Sequence, residues 1–107
     1  MSESELQRDI RLALGRYPGL VLWRNNTGVS RSETRTIRYG LCVGSADLIG
    51  VLAPSGRFVA LEVKTATGRV SREQELFLNL VRRNGGIAEV VRTVEEAKNA
   101  IDRAISG

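Results

Sequence analysis

The stretch GSADLIGVLAPSGRFVALEVKT, residues 44–65, decides the fold. Two short apolar runs stand on either side of Pro-Ser-Gly at residues 54–56, a sequence typical of a tight turn. The pattern predicts an antiparallel hairpin of two buried strands, residues 47–52 and 58–63. Charged side chains stand at the outer ends of both strands, where a purely structural hairpin does not need them.

Those charges are Asp47 at the start of the first strand and Glu62 and Lys64 at the end of the second. Glu62 and Lys64 are two residues apart, so their side chains point to the same face of the strand, about 6.6 Å apart. Val63 points the other way, into the core. Counting back from the turn places Asp47 opposite Lys64. The sequence therefore predicts that two carboxylates and an amine meet at one end of a sheet.

Capping-box patterns mark the starts of three helices around this hairpin. They are Ser2 with Glu5, Ser71 with Gln74, and Thr93 with Glu96. The first helix is predicted to stop near Tyr17, and the second to bury Phe77, Leu80 and Val81.

Further strands are predicted at residues 20–23 and 87–91, and loose alternation indicates an edge strand at residues 34–39. The path from Glu62 through the second helix to Ile87 resembles a right-handed βαβ crossover. The sequence therefore predicts an α/β fold: one domain over residues 1–107, with a mixed β-sheet flanked by helices in the order α-β-β-β-α-β-α.

The composition excludes several kinds of site. The chain has no histidine and a single cysteine, Cys42, which we expect to be a small buried residue. These counts exclude an internal disulfide, a multi-cysteine zinc site and histidine-based catalysis. No apolar run approaches the roughly 20 residues that span a bilayer, and the polar start differs from a signal peptide. We therefore expect a cytoplasmic protein that has no membrane partner.

Any metal must then be bound by carboxylate and carbonyl oxygens, which suit Mg²⁺ or Mn²⁺. Asp47, Glu62 and the backbone carbonyl of Val63 would supply half of an octahedral shell. Lys64 would orient a water molecule or stabilise the transition state. The pattern favours metal-assisted hydrolysis of a phosphodiester. The alternative is an exposed Glu62–Lys64 ion pair at the rim of the sheet, with Asp47 as a turn residue.

A net charge of +4 favours a polyanionic partner. The polar segment of residues 24–40 has the composition of a flexible loop that either contacts DNA phosphates or is merely solvated. The candidate nucleic-acid-binding residues are Arg24, Asn25, Asn26, Arg31, Arg35 and Arg38, with Arg69 and Arg72 near the acidic strand ends.

Asp47, then Glu62-Val63-Lys64 fifteen positions later, then Ser71-x-x-Gln74 resemble the D-x(n)-E-x-K signature of the PD-(D/E)xK nucleases. More narrowly, the chain resembles the stand-alone VRR-Nuc domains of phages and bacteria. The order of the Glu-x-x-Leu-Gln helix, the RNNTG segment and Gly85-Gly86 supports that likeness over nearly the whole chain. Ala46 stands where the superfamily name has proline, which leaves the metal-binding acid in place.

The resemblance implies a restriction-endonuclease-like core and a Mg²⁺- or Mn²⁺-dependent DNA endonuclease. It implies a homodimer that cuts branched DNA such as four-way junctions, in a bacterial or phage-infected cell. A metal-supporting glutamate is implied on the first helix, where Glu3 faces the domain and Glu5 is already explained as a cap. Gln74 matches the family glutamine, although its capping box explains it equally well. The alternative is a non-catalytic DNA-binding module with a nuclease-like fold.

Overall fold

The computed structural model describes residues 1–106, which form three helices and six strands. In chain order these are α1 (Glu3–Leu14), β1 (Leu20–Arg24), β2 (Gly28–Arg31), β3 (Thr36–Tyr39), β4 (Leu48–Leu52), β5 (Arg57–Val63), α2 (Arg72–Arg83), β6 (Ile87–Val91) and α3 (Val94–Ser106). Four strands form a mixed sheet in the order β1-β4-β5-β6, in which only β5 and β6 are parallel. The α/β fold class, the mixed sheet and the β5-α2-β6 crossover are confirmed.

The sheet has an apolar layer on each face. On one face, α1 and α3 pack over β4, β5 and β6 through side chains that include Leu6, Ile10 and Ile101. On the other face, α2 places Leu78 and Val81 against the sheet. Leu80 was predicted to be buried but is exposed. The buried side of α2 is formed by Leu78 and Val81, and Leu78 lies one residue away from Phe77 of the predicted apolar stripe.

The capping boxes at Ser2 and Ser71 are complete, whereas at Thr93 only half of the predicted box forms, because the Glu96 side chain accepts from the Arg92 N–H. Ser2 and Ser71 accept from the backbone N–H groups of Glu5 and Gln74, whose side chains accept from the N–H groups of the two serines. Thr93 Oγ1 accepts from the Glu96 N–H at 3.0 Å. Each start is thus fixed by local hydrogen bonds, which is why the sequence pattern located it.

The central hairpin has a different register from the one predicted. Leu48 pairs with Leu61 and Leu52 with Arg57, so a four-residue turn joins the strands and Asp47 stands opposite Glu62, not Lys64. The error arose because the prediction centred the turn one residue too late. A two-residue shift preserves the face to which each side chain points, so the acids still meet.

Residues 24–40 are not the flexible loop that their composition indicated. β2 and β3 form a separate two-stranded antiparallel sheet, so residues 1–106 contain two more strands than the predicted order. The edge strand expected at residues 34–39 pairs with β2 and not with the main sheet. We call residues 26–43 the arm. Cys42 lies in it and is exposed, contrary to the prediction. Among residues 1–106, no helix combines the length and apolarity needed to cross a membrane.

Candidate metal-binding site at the strand ends

The carboxylate of Asp47 is fixed against the end of β5. The Val63 N–H donates to Asp47 Oδ2 at 2.8 Å, while the Lys64 N–H points the other way and donates to Val91 of β6 at 3.1 Å. The N–H and C=O of one strand residue point towards the same neighbour. The Val63 carbonyl therefore lies on the side of β5 that faces Asp47.

Glu62 is buried to an unusual degree for a charged residue, with 1% of its surface exposed. Its Oε2 accepts from Gln74 Nε2 at 3.2 Å and lies 3.6 Å from Lys64 Nζ. Its Oε1 is buried and has no hydrogen-bond partner within residues 1–106. A buried polar atom without a partner is costly, and a cation at this point would satisfy it.

The electrostatics of Glu62 agree with that geometry. Burial, together with the nearby carboxyls of Asp47 and Glu3, raises the pKa of Glu62 to about 9, and Lys64 opposes the shift. Without a cation, the carboxyl is therefore held mainly protonated at neutral pH. A bound cation would favour the ionised form of Glu62.

Asn25 holds the loop that carries Asp47. Its backbone N–H donates to the carbonyl of Asp47 at 2.8 Å, and its side-chain amide donates to Ser45 Oγ and to the carbonyl of Ala46, each at 2.9 Å. The sequence left Asn25 open between a cap of the loop and a contact with DNA; its amide makes contacts within the protein, and its contact with DNA stays a prediction.

Gly44 sets the approach of the same loop to α2. Its φ is +86°, in the left-handed region, and a Cβ there would lie 2.4 Å from the carbonyl oxygen of Glu73. The loop and the first turn of α2 therefore touch through backbone, which brings Gln74 close to the acidic strand ends.

Gln74 serves two contacts at once. Its Oε1 accepts from the Ser71 N–H at 2.8 Å as part of the capping box, and this fixes the direction of its amide. Its Nε2 then points to Glu62. The cap and the site contact, which the sequence presented as alternatives, are therefore compatible in one side-chain conformation.

The two helix-1 acids differ in position. Glu3 is half-buried and close enough for its charge to act on Glu62, whereas Glu5 is exposed and its pKa is lowered by its hydrogen bonds to Ser2. Within residues 1–106, no group of three or more Asp, Glu, Cys or His side chains is placed to hold a metal. A direct role of Glu3 as a third carboxylate ligand therefore stays a prediction.

The remaining candidates are exposed side chains outside the site. These are Arg24, Asn26, Arg31, Arg35, Arg38, Arg69 and Arg72. Sequence reasoning missed Arg92, whose Nη1 donates to the carbonyls of Thr65 (2.6 Å) and Gly68 (2.8 Å) and so fixes the loop that follows Lys64. No sequence signal could have identified Arg92, because its acceptors are backbone carbonyls, which every residue has.

Comparison with known families agrees with this site. A family model described as the VRR-NUC domain matches residues 30–95, more than half of the chain, and the matched range includes Asp47, Glu62, Lys64 and Gln74. No curated protein matches the chain. The fold, the paired acids with their lysine and the family match agree, and the chain belongs to the VRR-NUC family of PD-(D/E)xK nuclease-type domains.

Proposed function

We propose that this nuclease-type domain is an active DNA endonuclease that hydrolyses phosphodiester bonds with Mg²⁺ or Mn²⁺. The observation that carries the proposal is the buried carboxyl of Glu62, beside Lys64, with one oxygen unpartnered. A module that only binds DNA does not need buried acids, because carboxylates repel phosphates in the absence of a cation.

The donor set fits a hard divalent cation. Asp47, Glu62 and the carbonyl of Val63 would hold it, with Glu3 in support directly or through water. When bound, such an ion offsets charge on the scissile phosphate and acidifies water. Transition metals that prefer sulfur or imidazole are disfavoured by a site built from oxygen atoms.

The protein's own side chains have separate tasks. Lys64 presents an ammonium group in a site where its side chain is 11% exposed, so its charge acts on the phosphate or the attacking water with little screening. Gln74 holds Oε2 of Glu62 in one orientation. Asn25 keeps Asp47 opposite Glu62 by holding the preceding loop.

We further propose that the enzyme is a homodimer that prefers branched DNA such as four-way junctions. A four-way junction has two-fold symmetry, and paired cuts require two sites related by a two-fold axis. Exposed apolar side chains support association. Val21, Trp23 and Val51 stand on the part of the sheet that α2 leaves open, and Trp23 is 44% exposed. Such patches are uncommon on monomers.

The test is cleavage of labelled four-way junction, flap and linear duplex DNA in Mg²⁺, Mn²⁺ or EDTA. We expect metal-dependent cuts by the wild type and at least a ~100-fold loss in Asp47→Asn and in Lys64→Ala. Glu3→Gln should reduce cleavage, while the matched exposed control Glu5→Gln should not. Paired symmetric cuts in the junction and a dimeric mass by light scattering would support the finer proposal. Binding of all three DNAs without any cleavage would instead establish the non-catalytic module.

A further inference from the structure

The arm projects from the body of the protein. Every residue from 29 to 43 is exposed, and β2 and β3 pack mainly against each other. The molecule measures 51 × 32 × 23 Å along its principal axes, an elongated shape for a small α/β domain. An isolated two-stranded hairpin is only marginally stable in water, so the arm contributes little to the stability of the fold.

The register gives the arm two different faces. Gly28 pairs with Tyr39 and Ser30 with Ile37, while Val29 pairs with Arg38 and Arg31 with Thr36. Side chains of directly paired residues lie on one face, and alternate pairs lie on opposite faces. Arg31 and Arg38 therefore share a face as diagonal neighbours, about 7–8 Å apart at their α-carbons.

The opposite face carries the larger apolar side chains. Tyr39 lies over Gly28, where a Cβ would come within 2.4 Å of the tyrosine hydroxyl oxygen, so the glycine makes room for the ring. Ile37 follows on the same face. The tip between the strands is ordered by Ser32, whose N–H donates to the carbonyl of Arg35 at 2.8 Å. The arm is thus a formed ribbon with both strand arginines on one face and Tyr39 and Ile37 on the other.

Four arginines of the body have partners within the described residues. Arg82 and Arg103 contact Glu89, and Arg57 and Arg92 donate to backbone carbonyls. Within residues 1–106, no carboxylate lies within ion-pair distance of Arg31, Arg35 or Arg38. Glu33, near the tip, is the single acid among residues 26–43. The unneutralised positive charge is therefore presented to an external polyanion.

We propose that the arm is a β-ribbon that binds in a groove of duplex DNA beside the cut site, through the face that carries Arg31 and Arg38. The inference rests on the proposed function for its choice of DNA as the polyanion. The major groove of B-DNA is wide enough to admit a two-stranded ribbon. Since the arm leads through Gly44 into Asp47, DNA held by the ribbon is positioned relative to the acidic strand ends.

The test measures binding to a labelled linear duplex in EDTA across a range of KCl concentrations, so that no cleavage occurs. Each arginine that neutralises a phosphate contributes about 0.9 to the slope of log affinity against log salt. Arg31→Ala with Arg38→Ala should therefore reduce the slope by about 2 and lower affinity roughly tenfold or more at 0.1 M salt. The matched control, Ser30→Ala with Ile37→Ala, alters the opposite face and should retain the wild-type slope.

An unchanged slope in the arginine double variant would overturn the proposal. So would weaker binding in the opposite-face variant alone, since that result would assign the arm to an apolar partner such as a second copy of the chain. Folding of each variant is checked by its thermal melt. This test is independent of catalysis. If the wild type binds DNA through the arm but never cuts it, the proposed nuclease activity is refuted and the proposed DNA-binding role of the arm stands. Conversely, a wild type that cuts DNA while the arginine variant keeps its salt slope refutes the ribbon alone.

Discussion

The strand ends and the arm use charge in opposite ways. At the strand ends, Glu62 and Lys64 lie almost fully out of water, and Glu62 contacts Lys64 just after β5 and Gln74 on α2. On the arm, Arg31 and Arg38 are exposed and have no acidic neighbour. The buried carboxyl at the strand ends destabilises the metal-free fold, whereas the exposed charges of the arm have almost no effect on its stability.

This difference separates what each region can do. A buried carboxyl with an unpartnered oxygen is costly to the fold, so it gains most when a cation binds. Exposed cations cost the fold little, because water and salt screen them, and their interaction with DNA falls steeply with salt. Removing charge from the strand ends should therefore change stability, whereas removing it from the arm should change only binding.

The largest effect is expected for Glu62→Gln in metal-free protein. The pKa of this carboxyl is about 9 in the fold against an ordinary value of 4.5. The unfolded chain therefore releases the proton first, and the stability contributed by the protonated form is complete below about pH 4.5 and is lost as pH rises towards 9. The free energy of unfolding of the wild type should fall by on the order of a few kcal/mol across this range.

Urea unfolding in EDTA at pH 5, 7 and 9 measures this effect. The wild type should lose stability relative to Glu62→Gln as pH rises, because glutamine does not ionise, and added Mg²⁺ should restore the wild type at high pH. If the free energies of unfolding of the two proteins changed with pH in parallel, ionisation of Glu62 would not destabilise the metal-free fold, and the contrast with the arm would fail.

An intermediate effect is expected for Asn25→Ala. The truncation leaves Ser45 Oγ and the Ala46 carbonyl without their amide donor in a half-buried loop, at a cost of about 1–3 kcal/mol. Metal affinity measured by calorimetry should also fall, since the loop carries Asp47. Asn26→Ala is the matched control, because Asn26 is exposed, and it should change stability by less than about 0.5 kcal/mol. Equal losses in both variants would mean that Asn25 has no special role in holding Asp47.

The features that could be predicted from the sequence are mainly those set by residues close together in the chain. Helix starts at Ser2, Ser71 and Thr93 depend on residues three positions apart, and the sequence located all of them. The acids at positions 47 and 62 were brought together correctly because strand alternation survives a register error of two. The specific contacts of Asn25 with the loop that carries Asp47 were not predictable, since its partners Ser45 and Ala46 lie about twenty residues away in the chain.

The arm was predicted only in part, for a related reason. Loose alternation indicated a strand at residues 34–39, which contains β3, but β2 is short, polar and exposed, so composition favoured a loop there. Cys42 and Leu80 were expected to be buried because of their residue type, yet both lie on a surface that the protein's own helices leave uncovered. Residue type predicts burial only where the fold supplies a covering element.

The smallest effect on stability is expected for Arg38→Ala, at less than about 0.5 kcal/mol, because the guanidinium lacks an acidic neighbour in the described chain. Arg82→Ala is its matched control in the body. Arg82 donates to the carbonyl of Ala88 at 2.9 Å and contacts Glu89, so its loss should cost about 1 kcal/mol. DNA affinity should respond in the reverse order, with a clear loss for Arg38→Ala and none for Arg82→Ala. If urea unfolding and DNA titration ranked the two variants identically, charge on the arm would be as structural as charge in the body, and the separation between the two regions would fail.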